Sequence, residues 1–198
     1  MDLKRRRAIA GFILAGGASS RMGRDKGLLE LGGAPLILHT ARLLESFVSD
    51  VTIVGSPRRY AALGLSAIED DAYAQGRDKS RCGPLAGIAT ALAATTSRWN
   101  LMAAVYRREC GAPLATALAG GVRKVSDAIK HCRVDLVYPR EWCGIDPSGL
   151  ILRNMNSPGD YEEAQKWWAA NRPPANEDVT VCRRKPKRKP RSVPRRRR

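Results

Sequence analysis

The sequence has few of the residues that build metal sites and disulfide frameworks. Its 198 residues include two histidines and five cysteines, which are Cys82, Cys110, Cys132, Cys143 and Cys182. The cysteines are widely scattered and form no Cys-x-x-Cys pair, which argues against a structural zinc site and against a disulfide framework. Two histidines are too few for a histidine-rich metal centre. We interpret the five cysteines as isolated structural thiols.

Long apolar runs are also missing. No stretch approaches the roughly 18–20 apolar residues of a membrane-spanning helix. The basic residues 4–7 and the short apolar run after them resemble the start of a secretory signal. Gly11, Gly16 and Gly17 interrupt that run, however, and no convincing cleavage site follows. The sequence therefore predicts no membrane span and a cytoplasmic protein.

Acidic residues are scarce where the basic residues concentrate. The formal net charge is +16, but residues 183–198 hold 11 Lys and Arg and no acid, and residues 4–7 hold four more. The body from 8 to 182 carries 20 basic and 18 acidic residues and is nearly neutral. A nucleic-acid interface on the fold itself is not indicated. The basic tail is either a solvated appendage or a site of weak, salt-sensitive contact with polyanions.

The first hundred residues alternate between apolar strand patterns and helical patterns. We predict strands over residues 8–14, 51–54, 65–68 and 99–105, and helices from Pro35, over 58–63 and over 84–95. This alternation is typical of an α/β fold with a doubly wound, Rossmann-like and mostly parallel sheet, covered by helices on both faces. Residues 72–83 are polar and basic, and we predict a loop there.

The second half is less regular. We predict helices over 113–119, 122–129 and 161–170, strands over 134–138 and 150–153, and a turn at 146–149. From residue 172 the chain is rich in Pro and Arg and poor in apolar residues, which predicts disorder. We therefore expect one α/β domain over 8–171 and a disordered basic tail over 172–198. Trp167 and Trp168 on the last helix are interpreted as core residues.

The segment with the most chemical information directly follows the first strand. It reads LAGGASSRMGRDK and runs from Leu14 to Lys26. A glycine-rich turn at the carboxyl end of a parallel strand lets backbone N–H groups surround phosphate oxygens. Arg21 can bind phosphate as a fork and Lys26 as a point charge. The spacing matches neither a P-loop nor the dinucleotide fingerprint GxGxxG.

This segment resembles the nucleotide-binding signature of the molybdenum cofactor guanylyltransferase family, whose members are nucleotidyltransferases with a sugar-nucleotide-transferase-like fold. Four more segments carry the resemblance: DKGLLELGGAPL at 25–36, IED at 68–70, GPLAGI at 83–88 and NMNSPGD at 154–160. Together the segments cover most of residues 8–170.

The resemblance implies transfer of GMP from GTP to the terminal phosphate of molybdopterin, with release of pyrophosphate and with Mg²⁺ as cofactor. Catalysis of such an in-line displacement rests mainly on positioning and on charge neutralisation. Arg21 and Lys26 are the expected catalytic residues, since they place positive charge where the triphosphate would lie. The implied nucleotide contacts are Leu14, Ala15, Gly16, Gly17, Lys26, Asp70, Pro84 and Gly87, and the implied acceptor-side residues are Asn154 and Asn156.

The sequence departs from the family pattern within the strand that begins at Trp99. In the family this strand ends in an aspartate that holds Mg²⁺, but here the segment VYRREC follows at once and resembles a later part of the family's sequence. We infer an internal deletion near residues 103–105 that removes the aspartate with a strand–helix unit. Glu109 belongs to the later segment and does not replace it. An impaired member of the family and a sequence record that lacks a segment both stay open.

Two functions of different classes follow from these observations. The first is a nucleotidyltransferase of molybdenum cofactor biosynthesis that uses GTP, or a related enzyme that uses CTP or a sugar phosphate. The second is a non-catalytic nucleotide-binding remnant whose basic tail binds polyanions. Nucleotide binding and pyrophosphate release distinguish the two.

Overall fold

The main sheet has five strands in the described part of the chain. The computed structural model describes residues 9–15, 24–70, 83–102, 104–142, 144 and 155–171. The strands are β1 (Ile9–Leu14), β2 (Glu30–Leu31), β3 (Ala34–Pro35), β4 (Asp50–Val54), β5 (Ser66–Ile68), β6 (Trp99–Leu101) and β7 (Val105–Arg107). The main sheet has the order β5-β4-β1-β6-β7, and β2 pairs with β3 in a separate hairpin. Within the described part of the main sheet, only β7 runs antiparallel to its neighbour, which confirms a mostly parallel sheet.

Seven α-helices lie in the same described ranges. They are α1 (Leu36–Glu45), α2 (Pro57–Tyr60), α3 (Gly83–Ala94), α4 (Gly111–Ala119), α5 (Val125–Ala128), α6 (Pro139–Trp142) and α7 (Pro158–Ala170). Short 3-10 turns occur at Lys26–Leu28, Ala61–Leu63, Arg108–Cys110 and Ile129–His131. None of the described helices is long and apolar enough to cross a membrane.

The side chains of β1 alternate between two apolar layers, as expected for a strand covered on both faces. Ile9 and Ile13 pack with Leu44 of α1 on one face. Phe12 packs with Ala91 of α3 on the other face. The buried side chains of Leu44 and Phe12 each contribute about 1.5–3 kcal/mol to folding. The predicted placement of helices on both faces is confirmed.

The second apolar layer continues from α3 to α4. Residues 85–92 of α3 are all buried, because this helix lies between the sheet and α4. Leu114 and Leu118 of α4 complete the cluster. Cys110 and Cys132 also pack against it, and their thiols contact each other. Both are free thiols, as interpreted, but they are neighbours and not isolated from each other.

Two strand predictions in the middle of the chain are wrong. Residues 99–105 do not form one strand but a hairpin of β6 and β7, in which the Met102 N–H donates to the Ala104 carbonyl at 2.9 Å. Residues 134–138 form no strand, and Leu136 and Val137 are 63% and 71% exposed. A β-branched segment needs a neighbouring strand to pair with, and intrinsic propensity alone does not supply one.

Other predictions are met in part or lie outside the described residues. The helix predicted over 122–129 is shorter and becomes α5 followed by a 3-10 turn. Trp168 packs on the β2–β3 hairpin, with its ring 5.0 Å from that of His39, whereas Trp167 is 49% exposed and does not belong to the core. The predictions for the turn at 146–149, the strand at 150–153 and the tail at 172–198 concern residues outside the described ranges. The same holds for the loop predicted over 72–83, except that Gly83 is described and begins α3.

Gly55 allows the ends of β1 and β4 to approach closely, so its substitution is a test of the fold. A Cβ atom at Gly55 would lie 2.5 Å from the Ala15 carbonyl oxygen, a backbone atom that cannot rotate away. We expect Gly55→Ala to lower the free energy of unfolding by about 1–3 kcal/mol, measured by urea denaturation.

Gly159→Ala is the matched control for this substitution. A Cβ atom at Gly159 would lie 3.8 Å from Ser157 Oγ, an ordinary contact, and the residue is within α7. We expect this variant to be as stable as the wild type or more stable, by up to about 1 kcal/mol. Equal stability of the two variants would contradict the close approach at Gly55.

Candidate functional site

The candidate site lies at the edge of the sheet where β1, β4 and β5 end. Ligands of open α/β sheets bind at this carboxyl edge. The Ala15 N–H donates to the Val54 carbonyl at 2.9 Å, and the Gly55 N–H donates to the Ile68 carbonyl at 2.9 Å. These two bonds tie the three strand ends together. The segment that begins at Leu14 therefore leaves the sheet from a fixed point.

Leu14, Asp70 and Gly87 converge at this edge. A Cβ atom at Gly87 would lie 3.1 Å from Leu14 Cδ2 and 3.6 Å from Asp70 Oδ2. The absence of a side chain at Gly87 thus lets the first turns of α3 lie against the ends of β1 and β5. The buried Thr90 hydroxyl, one turn further along α3, donates to Asp70 Oδ1 at 3.2 Å. The orientation of Asp70 is therefore fixed from the helix.

Asp25, directly before Lys26, forms hydrogen bonds through both of its carboxylate oxygens. Oδ1 accepts the Gly27 N–H at 2.9 Å and so caps the 3-10 turn. Oδ2 accepts the Tyr60 hydroxyl at 2.7 Å and the Arg59 guanidinium at 2.8 Å. Burial alone would raise the pKa of Asp25, but the hydrogen bonds from Tyr60, Arg59 and Gly27 outweigh it and hold the pKa below its usual range. Asp25 is therefore an anionic cap near neutral pH.

Lys26 and Asn156 meet although 130 positions separate them. Lys26 Nζ donates to Asn156 Oδ1 at 2.9 Å. Asn156 is itself held by the start of α7, because its backbone N–H donates to Asp160 Oδ2 at 2.8 Å. Ser157 and Asp160 form a capping box there, each side chain accepting the other residue's backbone N–H. The amide at position 156 is thus presented by a rigid helix end.

Further contacts hold α7 against the segment that follows Lys26. The Tyr161 hydroxyl donates to the Glu30 carbonyl, and the Arg24 guanidinium lies 5.8 Å from the Tyr161 ring centre. Near the other end of α7, Trp168 covers Gly32. An open cavity of about 400 Å³ lies beside them, lined by Leu31, Gly32, Gly33, Gln165, Trp168 and Ala169. The β2–β3 hairpin and α7 therefore form one supporting unit for the Lys26–Asn156 contact.

The predicted site residues fall into two groups, with some outside the described ranges. The structure brings together Leu14, Asp70 and Gly87 in one group and Lys26 and Asn156 in another. Pro84 is exposed at the second position of α3. The N–H of Ala15 is already bonded to Val54, so a nucleotide contact of its backbone would have to use the carbonyl oxygen. Gly16, Gly17, Arg21 and Asn154 lie outside the described residues.

Sequence reasoning missed Arg59, Tyr60 and Thr90. Arg59 and Tyr60 were part of a predicted helix. They follow Asp25 by 34 and 35 positions, and no spacing rule connects residues that far apart. Thr90 was hidden in the apolar pattern of α3. A polar side chain within an apolar helix was the one signal available, since such a group needs a hydrogen-bond partner when it is buried.

The described residues at this edge do not form a complete site for the Mg²⁺ ion that the family resemblance implies. Mg²⁺ prefers carboxylate oxygens, together with substrate phosphates and water. Within the described ranges no three His, Cys, Asp or Glu side chains form a metal-binding group. Asp25 is occupied by three donors, and β6 turns into β7 without an acidic residue. Glu109 follows β7 at the opposite edge of the sheet, where it pairs with Arg107 at 3.2 Å.

Comparison with known proteins agrees with this geometry. The MobA-like NTP transferase domain matches residues 11–106. The fold is similar to that of molybdopterin-guanine dinucleotide biosynthesis protein A from Archaeoglobus fulgidus, with a TM-score of 0.65 at 18% identity, over 81% of this chain and 99% of that one. At this identity the likeness shows the fold alone.

Two curated relatives connect the chain with one family. The molybdenum cofactor guanylyltransferase of Pseudomonas aeruginosa is 42% identical over 94 residues, which are 46% of this chain and 44% of the relative. The chain spans a little under half of the length of the first curated relatives that it matches. The molybdenum cofactor guanylyltransferase of Shewanella sediminis is 36% identical over 148 residues, which are 73% of this chain and 69% of the relative. With that coverage, and with the fold and site described above, the chain belongs to the molybdenum cofactor guanylyltransferase family of nucleotidyltransferases.

Proposed function

We propose that this chain binds GTP at the carboxyl edge of the sheet and transfers its GMP group to the terminal phosphate of molybdopterin, releasing pyrophosphate. The observation that carries the proposal is the 2.9 Å contact between Lys26 and Asn156. The family resemblance assigns one of them to the nucleotide phosphates and the other to the acceptor side. Transfer requires that the two substrates lie side by side. The names of the relatives support guanylyl transfer as the chemistry.

The proposed reaction is a displacement at the α-phosphorus of GTP. An oxygen of the molybdopterin phosphate forms the new P–O bond, and the bond to the β-phosphate oxygen breaks, so that pyrophosphate leaves. Lys26, and Arg21 from the segment before it, would offset the negative charge on the phosphates. Leu14 and Gly87 would shape the floor on which the nucleoside lies. The proposal also includes a cytoplasmic location and weak contact of the basic tail with polyanions.

Lys26 is the first residue to test. We expect Lys26→Ala to weaken GTP binding about tenfold or more, because a charge-assisted hydrogen bond to phosphate is lost. Isothermal titration calorimetry at moderate salt measures the dissociation constant. Titrations of GTP in the presence of CTP or UTP as competitors test which nucleotide base the protein prefers.

Lys130→Ala is the matched control for this variant. Lys130 is an exposed lysine of the 3-10 turn after α5 and pairs with Asp127 at 2.8 Å. We expect its loss to leave GTP affinity unchanged. Absence of GTP binding by the wild type, or equal affinity of wild type and Lys26→Ala, would contradict the proposal.

A non-catalytic nucleotide-binding protein is the second candidate, and the β6–β7 hairpin is the observation that favours it. Leu101, the last residue of β6, pairs with Gly11, three residues before the end of β1. At about 3.3 Å per residue, β6 therefore stops about 10 Å short of the edge where Leu14 lies. The chain then reverses, so this side of the site receives no acidic side chain from β6.

Turnover distinguishes the two candidates. For the first proposal we expect pyrophosphate release that requires both GTP and molybdopterin and that falls in Lys26→Ala. The measurement is a coupled pyrophosphate assay, run with Mg²⁺ and with a chelator in parallel. GTP binding without pyrophosphate release in both arms would support the second candidate and overturn the first.

A further inference from the structure

Apolar packing does not explain why residue 60 is a tyrosine and not a phenylalanine. Tyr60 is 0% exposed, and its ring packs with Ile37 and Ile53 in an apolar cluster. A phenylalanine would make the same ring contacts. The hydroxyl instead donates to Asp25 Oδ2 at 2.7 Å. Burial, and then the hydrogen bond to Asp25, raises the pKa of Tyr60, so the phenol stays a donor at all ordinary pH values.

The Asp25 carboxylate transmits this contact to the backbone before and after Lys26. One oxygen is held by α2 through Tyr60 and Arg59, while the other caps the Gly27 N–H. The contacts of the two carboxylate oxygens fix the torsion angles of Asp25 and therefore the direction of the backbone at Lys26. The Lys26 side chain extends from this fixed backbone, and its Nζ donates to Asn156 Oδ1 at 2.9 Å.

Arg59 and Tyr60 contribute differently to this arrangement. Arg59 is a guanidinium whose side chain is 45% exposed, so its ion pair with Asp25 is screened by water. The Tyr60 hydroxyl is buried and neutral, and its hydrogen bond is not screened. Position and orientation of the carboxylate therefore depend more on the tyrosine, whereas its charge is balanced by the arginine.

We infer that Tyr60 is a positioning residue for nucleotide binding, which acts through Asp25 to hold Lys26 beside Asn156 and ready for the phosphates of a nucleoside triphosphate. The inference rests on the proposed function, because it assigns Lys26 to those phosphates. Tyr60 itself is fully buried, so it would act without contact to either substrate. Its effect should therefore disappear when the Lys26 amine is absent, which is the property that separates positioning from general stabilisation.

The test is a double-mutant cycle on GTP affinity with Tyr60→Phe and Lys26→Gln. We expect Tyr60→Phe to weaken GTP binding about five- to tenfold in the wild-type background, the size of one hydrogen bond to a charged group. In the Lys26→Gln background we expect the same substitution to change affinity by less than about twofold. Titration calorimetry with GTP in large excess keeps the weaker variants measurable.

Tyr106→Phe is the matched control, since it removes the hydroxyl of another tyrosine, which is partly buried on β7 and makes no hydrogen bond to Asp25. We expect it to leave GTP affinity unchanged. A second readout is ¹³C NMR titration of the Asp25 carboxyl carbon. Tyr60→Phe removes a donor, so the pKa of Asp25 should rise although Arg59 and Gly27 remain as donors, and Tyr106→Phe should not change it.

The possible results separate this inference from the proposed function. No GTP binding by the wild type overturns both. GTP binding by the wild type with unchanged affinity in Tyr60→Phe overturns the inference alone. An equal loss of affinity in both Lys26 backgrounds, or an unmoved Asp25 carboxyl titration in Tyr60→Phe, also overturns it, because the tyrosine would then act on stability in general.

Discussion

The hydrogen bonding of β1 along both of its edges is the constraint on which the other elements depend. Because β1 pairs with β4 on one side and with β6 on the other, its two faces are left to α1 and α3. The bonds from Ala15 to Val54 and from Gly55 to Ile68 then align the ends of three strands. A glycine at position 55 is required for this alignment, since any side chain would meet the backbone of Ala15. The candidate site is thus built on the aligned ends of the central strand β1 and its neighbours β4 and β5.

The candidate site has a carboxylate held in place on the β5 side, whereas a hairpin ends the sheet early on the β6 side. On the β5 side, Asp70 is oriented by Thr90 and lies against Leu14 and Gly87. On the β6 side the chain turns back at Met102, and the buried Asn100 amide helps to hold the hairpin closed through the carbonyls of Ser97 and Tyr106. Its own Oδ1 is buried without a hydrogen-bond partner among the described residues. At the edge of the sheet, β7 leaves Val105 exposed.

The sequence pattern predicted the parallel part of the fold because each element there carries its own local signal. The apolar run before Leu14, the helical spacing from Leu36 and the buried α3 were readable without knowledge of any partner. The hairpin and the failed strand at 134–138 were not readable, since strand formation depends on which neighbour is available. In the site, Lys26 and Asn156 were singled out by motif, but their contact was not. The partners of Asp25 were missed because hydrogen bonds over more than 30 positions leave no periodicity in the sequence.

The arrangement around Asp25 resolves a conflict that the motif itself creates. A carboxylate directly before the lysine that we propose as the phosphate-binding residue would repel the same phosphates, since two unit charges about 6 Å apart interact by about 3 kcal/mol at an effective dielectric constant of about 20. Arg59 balances that charge, and Tyr60 and Gly27 use the remaining lone pairs. Asp25 can then cap the 3-10 turn without cancelling the attraction between Lys26 and a phosphate group. The side chain of Asp25 is only 11% exposed and faces inward, whereas the Lys26 amine points away from it to Asn156 on the start of α7.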